Sequence, residues 1–163
     1  MSFLLIDGYN LIGTFHKNLS GAREKLLFQL HEYKKIKGHD ITVVFDGWKS
    51  GGQHEKSFIT GGITVIYSRI GETADAVIKR IMSRRNRKWI VISSDRDIRT
   101  ACWTSGSVPV SADEFLSALE RAETSFRGEY ERLEDSDHPV RQKGNPKKLS
   151  KKEKTIIRAL QRL

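Results

Sequence analysis

Three aspartates stand at the ends of apolar runs, and this spacing is the first feature of the sequence that indicates chemistry. Asp7 follows Phe-Leu-Leu-Ile, Asp46 follows Ile-Thr-Val-Val-Phe, and Asp95 follows Trp-Ile-Val-Ile-Ser-Ser. Each is the first charged residue after its run. The carboxyl ends of parallel strands share one edge of a sheet, where binding sites form. If the runs are parallel strands, the sequence predicts three carboxylates at that edge.

A fourth segment, Gly-Glu-Thr-Ala-Asp-Ala-Val-Ile-Lys-Arg-Ile, adds acids from a predicted helix. Glu72 and Asp75 are three residues apart, so they share a helix face in a first turn, where the helix dipole favours anions. Clustered carboxylates raise one another's pKa unless a cation neutralises them. Hard oxygen ligands suit Mg²⁺ or Mn²⁺, as one or two ions, better than zinc. Asn10 offers an amide that orients a ligand without adding charge.

Each acid also has a purely structural interpretation. Asp7 and Asp46 each precede glycine, which is a common turn sequence. Asp97 stands three residues after Ser94, a spacing that indicates a helix capping box. The convergence of four separate segments on one edge favours a functional site over four unrelated turns and caps.

Motifs of several other chemistries are absent from the sequence. There is no Asp-x-Asp after the first apolar run, no GxGxxG and no GxxxxGK[ST] phosphate loop. The single cysteine, Cys102, excludes an intrachain disulfide and a cysteine-based zinc site, and we interpret it as a buried apolar residue.

The elements that must position these acids are predicted from hydrophobic patterning. Continuous apolar runs are typical of strands covered on both faces, and apolar spacings of three and four predict helices between them. Strands alternating with helices indicate right-handed crossovers and a three-layer α/β/α domain with a parallel sheet. The predicted strands are 3–6, 41–45, 63–67, 89–93 and 108–110, and the predicted helices are 21–37, 73–86, 95–103 and one opened by a Ser111/Glu114 capping box.

The segment 46–62 has five glycines and no helical pattern, and we interpret it as a loop beside a strand end, where substrates often bind. Trp48 and Phe58 in this segment are candidates to stack on unpaired bases, with packing against the body of the protein as an equally good alternative for each. Lys49 is a candidate phosphate contact.

The positive charge is concentrated near the end of the sequence. Residues 141–163 contain nine Lys and Arg and one acid, whereas residues 1–140 have a net charge of only +1. This segregation indicates a polyanionic partner, with nucleic acid favoured over membrane. Prolines and a glycine predict a linker over 138–149, and a Ser150/Glu153 capping box opens a basic amphipathic helix over 150–163. Its candidate RNA contacts are Lys147, Lys148, Lys151 and Lys152.

The compartment is predicted from what the sequence lacks. No apolar run reaches 18 residues, and the N-terminal segment lacks the basic region of a secretory signal. We therefore expect a cytoplasmic protein without a membrane partner.

At this point four motifs resemble a known family. LLIDGYNLIG, TVVFDGW, GETADAVIKRI and VISSDRDIRTACWTSG are similar, in order and spacing, to the YacP-like branch of the NYN domains, relatives of the PIN-domain nucleases. The resemblance implies a sheet of order 3-2-1-4-5, an Mg²⁺ or Mn²⁺ site and endoribonuclease activity. It implies that Asp7, Asp75 and Asp95 are the metal-centre acids, with Asn10 and Asp46 completing the catalytic set and Glu72 as an accessory residue. Asp97, to which the resemblance assigns no role, is a further accessory candidate.

The combined prediction is a metal-dependent endoribonuclease that hydrolyses internal phosphodiesters of single-stranded RNA, with mRNA and ribosome-associated RNA as candidate substrates. The nuclease domain is expected to span 1–137. Arg96 and Arg99, an unusually basic pair after Asp95, are candidate phosphate contacts. The alternative is a non-catalytic RNA- or ribosome-binding adaptor that keeps the PIN-like fold. The acidic residues favour the nuclease, since an inactive site has no need of a costly cluster of like charges.

Overall fold

The computed structural model describes residues 1–13, 19–47, 52–84, 87–132 and 150–163, and the side chains of 19–20 and 126–132 are outside this description. Four candidate RNA contacts, Trp48, Lys49, Lys147 and Lys148, therefore lie outside the described residues, and so does the predicted linker 138–149. The elements, in chain order, are β1 Phe3–Asp7, α1 Gly8–Ile12, α2 Leu19–Lys37, β2 Asp40–Phe45, β3 Lys56–Thr60, β4 Ile63–Tyr67, α3 Ala74–Ser83, β5 Trp89–Ile92, α4 Arg96–Ser105, β6 Val108–Val110, α5 Ala112–Arg132 and α6 Lys151–Leu160.

The strands form one sheet of order β3-β4-β2-β1-β5-β6, and all neighbours except β3 and β4 pair in parallel. The first strand of the chain is therefore central, with β2 on one side and β5 on the other. The five predicted strands correspond to β1, β2, β4, β5 and β6, and they occur in the predicted order. The α/β prediction is confirmed.

The sixth strand corrects the prediction for the segment 46–62. Residues 56–60 form β3, an edge strand antiparallel to β4, within the stretch that we interpreted entirely as a loop. All five of its residues are exposed, so the strand has no buried apolar run. A strand is predicted from alternating apolar and polar residues or from a continuous apolar run. Residues 56–60 have neither pattern and are flanked by glycines, so the sequence did not predict this strand.

Helices cover both faces of the sheet. On one face, α1, α2, α5 and α6 bury residues such as Leu30, Tyr33 and Phe115 against β1, β2 and β4. On the other, α3 and α4 pack residues such as Ile78 and Ile98 on the same strands. Burial on both faces explains why the parallel strands are continuously apolar. Cys102 lies in the second core, fully buried as expected, and burial raises the pKa of its thiol to about 12.

The basic helix α6 packs on the body of the protein. Ser150 and Glu153 form the predicted capping box, and Ala159 and Leu163 are buried in the first core. The Tyr33 hydroxyl donates to the Leu163 carbonyl at 2.7 Å, inside the core. The exposed lysines of α6 therefore project from a helix that is anchored by its apolar side. Within the described ranges, no helix has both the length and the apolar character needed to cross a membrane.

Candidate active site

Asp7 is the most buried acid at the carboxyl edge of the sheet, with 6% of its surface exposed. It ends β1 and is the N-cap of the short helix α1, and its Oδ1 accepts from the Asn10 backbone N–H at 3.1 Å. Its other oxygen, Oδ2, accepts from the Ser93 hydroxyl at 3.3 Å. The apolar run of β1 therefore delivers a carboxylate into the protein, where both oxygens are held by hydrogen bonds.

The residue after Asp7 is glycine because a neighbouring ring leaves no room for a side chain. A Cβ atom at Gly8 would overlap the aromatic ring of Phe45 on β2. The absence of a side chain lets α1 start immediately after the strand, with its N-terminus over β2. The Asp-Gly pair is thus a helix start with a close approach, and the simple turn we considered for it is not formed.

Asn10 and Ser93 join Asp7 to the segment that bears Asp95. The Asn10 amide oxygen accepts from the Ser94 backbone N–H at 2.9 Å, and the Ser93 hydroxyl oxygen accepts from the Asp95 backbone N–H at 3.1 Å. The link between β5 and α4 is therefore fixed to α1 and to the Asp7 carboxylate. Asn10 uses its oxygen to position this segment, so its contribution to the site is to orient Asp95 relative to Asp7.

Asp95 is the N-cap of α4, and this corrects the interpretation of Ser94 and Asp97 as a capping box. The Asp95 Oδ1 accepts from the backbone N–H groups of Asp97 at 2.8 Å and Ile98 at 3.0 Å. Ser94 instead accepts, through its hydroxyl oxygen, from the Ala112 backbone N–H at 3.1 Å. Three consecutive cap-forming residues precede this helix, and the sequence alone does not decide which of them caps it.

Asp75 lies in the first turn of α3, which Thr73 caps by accepting from the Ala76 backbone N–H at 3.2 Å. Its carboxylate is close enough to Asp95, Asp97 and Asp46 for each of them to raise its pKa. We call Asp7, Asp46, Asp75 and Asp95 the acidic cluster. They come from four separate segments: Asp7, Asp75 and Asp95 interact electrostatically with one another, and Asp46 interacts with Asp75.

The pKa values of two members show how unfavourable this arrangement is without a cation. The pKa of Asp7 is raised to about 6: burial is the largest cause, the charges of Asp75 and Asp95 add to it, and the hydrogen bonds from the Asn10 backbone N–H and the Ser93 hydroxyl oppose it. Burial is also the largest cause of the raised pKa of Asp75, followed by the charge of Asp95. Perturbed carboxylates of this kind are concentrated at functional sites. The cluster has the electrostatics of a place that binds positive charge.

Glu72 is directed differently from the acidic cluster. Its carboxylate forms ion pairs with Arg69 and Arg80, each at 3.4 Å, and Arg80 also pairs with Glu55. The negative charge of Glu72 is therefore compensated by guanidinium groups. Its backbone carbonyl accepts from the Ser68 hydroxyl at 2.6 Å. Through these ion pairs and this hydrogen bond, Glu72 holds the segment before α3 in place.

Ser68 and Ser93 are site residues that our sequence reasoning missed. Ser68 is fully buried, its hydroxyl oxygen accepts from the Gly47 backbone N–H at 2.9 Å, and it lies 3.5 Å from Asp46 Oδ1. It thereby connects the end of β2 to the end of β4. Ser93 was visible in the Ser-Ser-Asp stretch, whereas Ser68 had no signal, because a serine after a strand is common in any loop.

The candidate phosphate contacts lie at the start of α4. Arg96 is its first residue and is exposed, and Arg99 is half-buried one turn later. Arg99 also lies close enough to Cys102 for its charge to act on that thiol. Lys152, on α6, lies 5.4 Å from the ring centre of Trp103. Since Trp103 is about two helical turns along α4 from Asp95, Lys152 is remote from the acidic cluster.

The donor set of the acidic cluster fits a hard divalent cation. Its oxygens are carboxylates, and no histidine or cysteine belongs to it. Among the residues with described positions, no three His, Cys, Asp or Glu side chains are grouped closely enough to hold a metal ion by themselves. Mg²⁺ commonly binds proteins through one or two carboxylates and keeps several waters. The arrangement therefore suits an ion held partly through water.

The two roles of Asp95, helix cap and charge, are separable by substitution. Asparagine is about as good an N-cap as aspartate, whereas alanine lacks the acceptor and costs about 1 kcal/mol. We expect Asp95→Ala to have a free energy of unfolding about 1 kcal/mol lower than that of Asp95→Asn, measured by urea denaturation in EDTA. Both variants remove the same charge, so equal stabilities would contradict the capping role.

The chain is similar to known proteins over most of its length. A family model described as the YacP-like NYN domain matches residues 4–162. The chain is 31% identical over 133 residues to YacP of Bacillus subtilis (strain 168), covering 76% of this chain and 78% of that protein. Two crystal structures of Rae1 (YacP) from Bacillus subtilis are also similar. The W164L mutant has a TM-score of 0.70, 28% identity and coverage of 82% and 84%; the other has a TM-score of 0.67, 29% identity and coverage of 82% of both chains.

Proposed function

The chain belongs to the YacP-like NYN domain family, and on that premise we propose that it is a metal-dependent endoribonuclease. NYN domains have a PIN-like nuclease fold with an RNA-related function. The proposed reaction is hydrolysis of internal phosphodiester bonds in single-stranded RNA. The observation that supports it most is the buried Asp7 carboxylate, whose pKa is raised by burial and by the neighbouring Asp75 and Asp95.

Asp7, Asp75 and Asp95 would hold one or two Mg²⁺ or Mn²⁺ ions. When bound, such an ion polarises the phosphate and lowers the pKa of a bound water. The protein's own part is to hold the three carboxylates in place: α1 and Ser93 fix Asp7, and Asn10 fixes the segment that bears Asp95.

The other acids would act beside the three proposed metal ligands. Asp46 contributes negative charge toward Asp75, and Asp97, exposed on the first turn of α4, does the same. Arg96, exposed beside Asp95, would contact a phosphate of the RNA. Glu72, paired with two arginines, would support the site through the backbone before α3.

The test of the proposed function is cleavage of a 5′-labelled single-stranded RNA by the purified protein with Mg²⁺ or Mn²⁺. We expect internal cleavage that EDTA abolishes and that Asp75→Asn reduces strongly. Asp40→Asn, at the opposite edge of the sheet, where Asp40 lies 3.7 Å from Arg87, is the matched control and should cleave normally. The assay is repeated with ribosome-bound RNA. If the protein binds RNA but cleaves neither the free nor the ribosome-bound form, the nuclease is contradicted and the adaptor alternative is supported.

The exposed lysines of α6 are proposed to add affinity for RNA that does not depend on sequence, including structured RNA of a ribosome. Deleting this helix would not test the idea, because Ala159 and Leu163 belong to the core. Replacing Lys151, Lys152 and Lys154 with alanine keeps the apolar side and the capping box.

We expect this triple variant to bind single-stranded RNA more weakly, with a smaller dependence of affinity on salt. The slope of log K against log salt concentration is negative, and each lost phosphate contact makes it less negative by about 0.7. Fluorescence anisotropy at several salt concentrations measures the slope. The control is Lys35→Ala on α2, whose ammonium already pairs with Glu32 at 2.8 Å. An unchanged slope in the triple variant would exclude α6 as an RNA contact.

A further inference from the structure

Four aromatic rings form a continuous row from the acidic cluster to the edge of the sheet. Tyr9 contacts Phe45 edge to face, with ring centres 5.3 Å apart. Phe45 stacks on Tyr67 at 5.5 Å with planes 24° apart, and Tyr67 stacks on Phe58 at 6.0 Å with planes 19° apart. The last three rings are thus nearly parallel, so Phe58 is the outer layer of a three-ring stack.

The outer end of this stack is open to solvent. Phe45 is fully buried, Tyr67 is half-buried, and Phe58 is 46% exposed. Because one face of the Phe58 ring lies on Tyr67, a flat group placed on its other face would extend the stack by one layer. Offset stacking of this kind is the preferred arrangement of aromatic groups. An unpaired base has the size and shape of such a group.

The inner end of the row is connected to the candidate active site by the chain itself. Phe45 directly precedes Asp46, and Tyr9 is two residues after Asp7. Both rings therefore lie at the carboxyl edge of the sheet with the acidic cluster. A base on Phe58 would belong to a strand that runs along this edge toward the cluster.

The charges beside the stack are those that a polyanion requires. The guanidinium of Arg23, on α2, lies 5.8 Å from the ring centre of Tyr67. Lys56 is opposite Tyr67 in the β3–β4 register and two residues before Phe58, so Lys56 and Phe58 are on the same face of β3. The acid that precedes Lys56, Glu55, is paired with Arg80. A stacking ring flanked by cations is the usual composition of a site for single-stranded nucleic acid.

From these observations we propose that Phe58 stacks on an unpaired base of single-stranded RNA, with Arg23 and Lys56 at the adjacent phosphates. This site rests on the proposed function for its ligand, and it adds a substrate contact about three ring layers away from the acidic cluster. It also gives β3 a role: the edge strand presents the ring that continues the buried stack outward.

The experiment measures binding in EDTA, so that cleavage plays no part. The probe is a short single-stranded RNA containing 2-aminopurine, whose fluorescence is quenched by stacking, together with an abasic oligonucleotide of the same length. The variants are Phe58→Ala, Phe58→Trp and the control Ile59→Ala. Ile59 is 73% exposed and lies on the other face of the same strand. Circular dichroism and sedimentation check the fold and the oligomeric state of each variant.

We expect Phe58→Ala to lose about 5- to 100-fold in affinity for the RNA and to lose the quenching. Phe58→Trp should retain both, Ile59→Ala should match the wild type, and the abasic oligonucleotide should bind all four proteins alike. Wild-type affinity of Phe58→Ala, an equal loss on the abasic oligonucleotide, or no RNA binding by the wild type would each overturn the proposal. A change of oligomeric state in Phe58→Ala without a change in RNA affinity would instead show a contact between two copies of the chain.

These outcomes are separate from those of the cleavage assay. Metal-dependent cleavage together with an unaffected Phe58→Ala variant would leave the nuclease standing and remove the stacking site. Base-dependent binding through Phe58 without any cleavage would support the stacking site and contradict the nuclease.

Discussion

Asp7→Asn is expected to reduce metal-dependent RNA cleavage by at least about 100-fold while leaving the protein folded. The substitution removes a negative charge from the centre of the acidic cluster and keeps the shape of the side chain. Asparagine can still accept from the Asn10 backbone N–H, and it is as good an N-cap as aspartate. The start of α1 should therefore be preserved, so that a loss of activity reports on the charge.

The matched control for this variant is Asp40→Asn. Asp40 begins β2 at the opposite edge of the same sheet, where it lies 3.7 Å from Arg87. It has the same side chain and the same change of charge but no access to the cluster. Cleavage should be measured on labelled RNA over a range of Mg²⁺ and Mn²⁺ concentrations. Equal activity in Asp7→Asn and Asp40→Asn would exclude Asp7 from the catalytic centre.

The second large effect is expected on the stability of the metal-free protein. Burial raises the pKa of Asp7 from 3.8 to about 6 in the folded state, so folding favours its protonated form. The folded protein then binds more protons than the unfolded chain between about pH 4 and pH 6. Stability from this group is complete below the unfolded pKa and is lost as pH rises through the folded pKa. A shift of this size corresponds to about 3 kcal/mol.

The measurement compares wild type with Asp7→Asn in EDTA, because other groups titrate over the same range. Burial lowers the pKa of His39, and the stability that this shift reflects is lost as pH falls, which opposes the effect of Asp7. Subtracting the unfolding free energy of Asp7→Asn from that of the wild type cancels the contribution of His39, which both proteins share. We expect the wild type to gain about 2.4 kcal/mol relative to Asp7→Asn between pH 7 and pH 4, by urea denaturation, with the rest of the about 3 kcal/mol appearing below pH 4. A difference independent of pH would contradict the raised pKa.

These two expectations describe the cost of the site. At neutral pH the ionised Asp7 carboxylate destabilises the metal-free fold, and the same charge is what a divalent cation would bind. Asp7→Asn should accordingly be inactive and, without metal at pH 7, more stable than the wild type. A site that destabilises its own fold is common among enzymes.

The sequence was sufficient to predict the acidic cluster because its signals are local. Asp7, Asp46 and Asp95 are each the first charge after an apolar run, and buried parallel strands leave little doubt about which edge they reach. Asp75 was predicted from its place in a helix first turn. Their electrostatic interactions with one another depend on how α3 and α4 pack on the sheet, which no local pattern contains.

What the sequence did not predict depends on distant contacts. Ser68 joins Asp46 to the segment before α3, and its neighbours are fixed only when β2 and β4 are side by side. β3 was missed because an exposed edge strand needs no apolar run. The amphipathic pattern of α6 was clear, but its burial against Tyr33 joins residues 130 positions apart.

The central position of β1 affects how the sheet can assemble while the chain is being synthesised. β1 is synthesised before both of its neighbours in the sheet, β2 and β5, since Phe3 pairs with both Asp40 and Trp89. Such distant pairings close slowly, and an unpaired strand edge can meanwhile join other chains. A growing polypeptide that ends between β4 and β5 has β1 paired with β2 on one side and unpaired on the other. Until β5 emerges, the unpaired side of β1 is therefore an edge at which aggregation competes with folding.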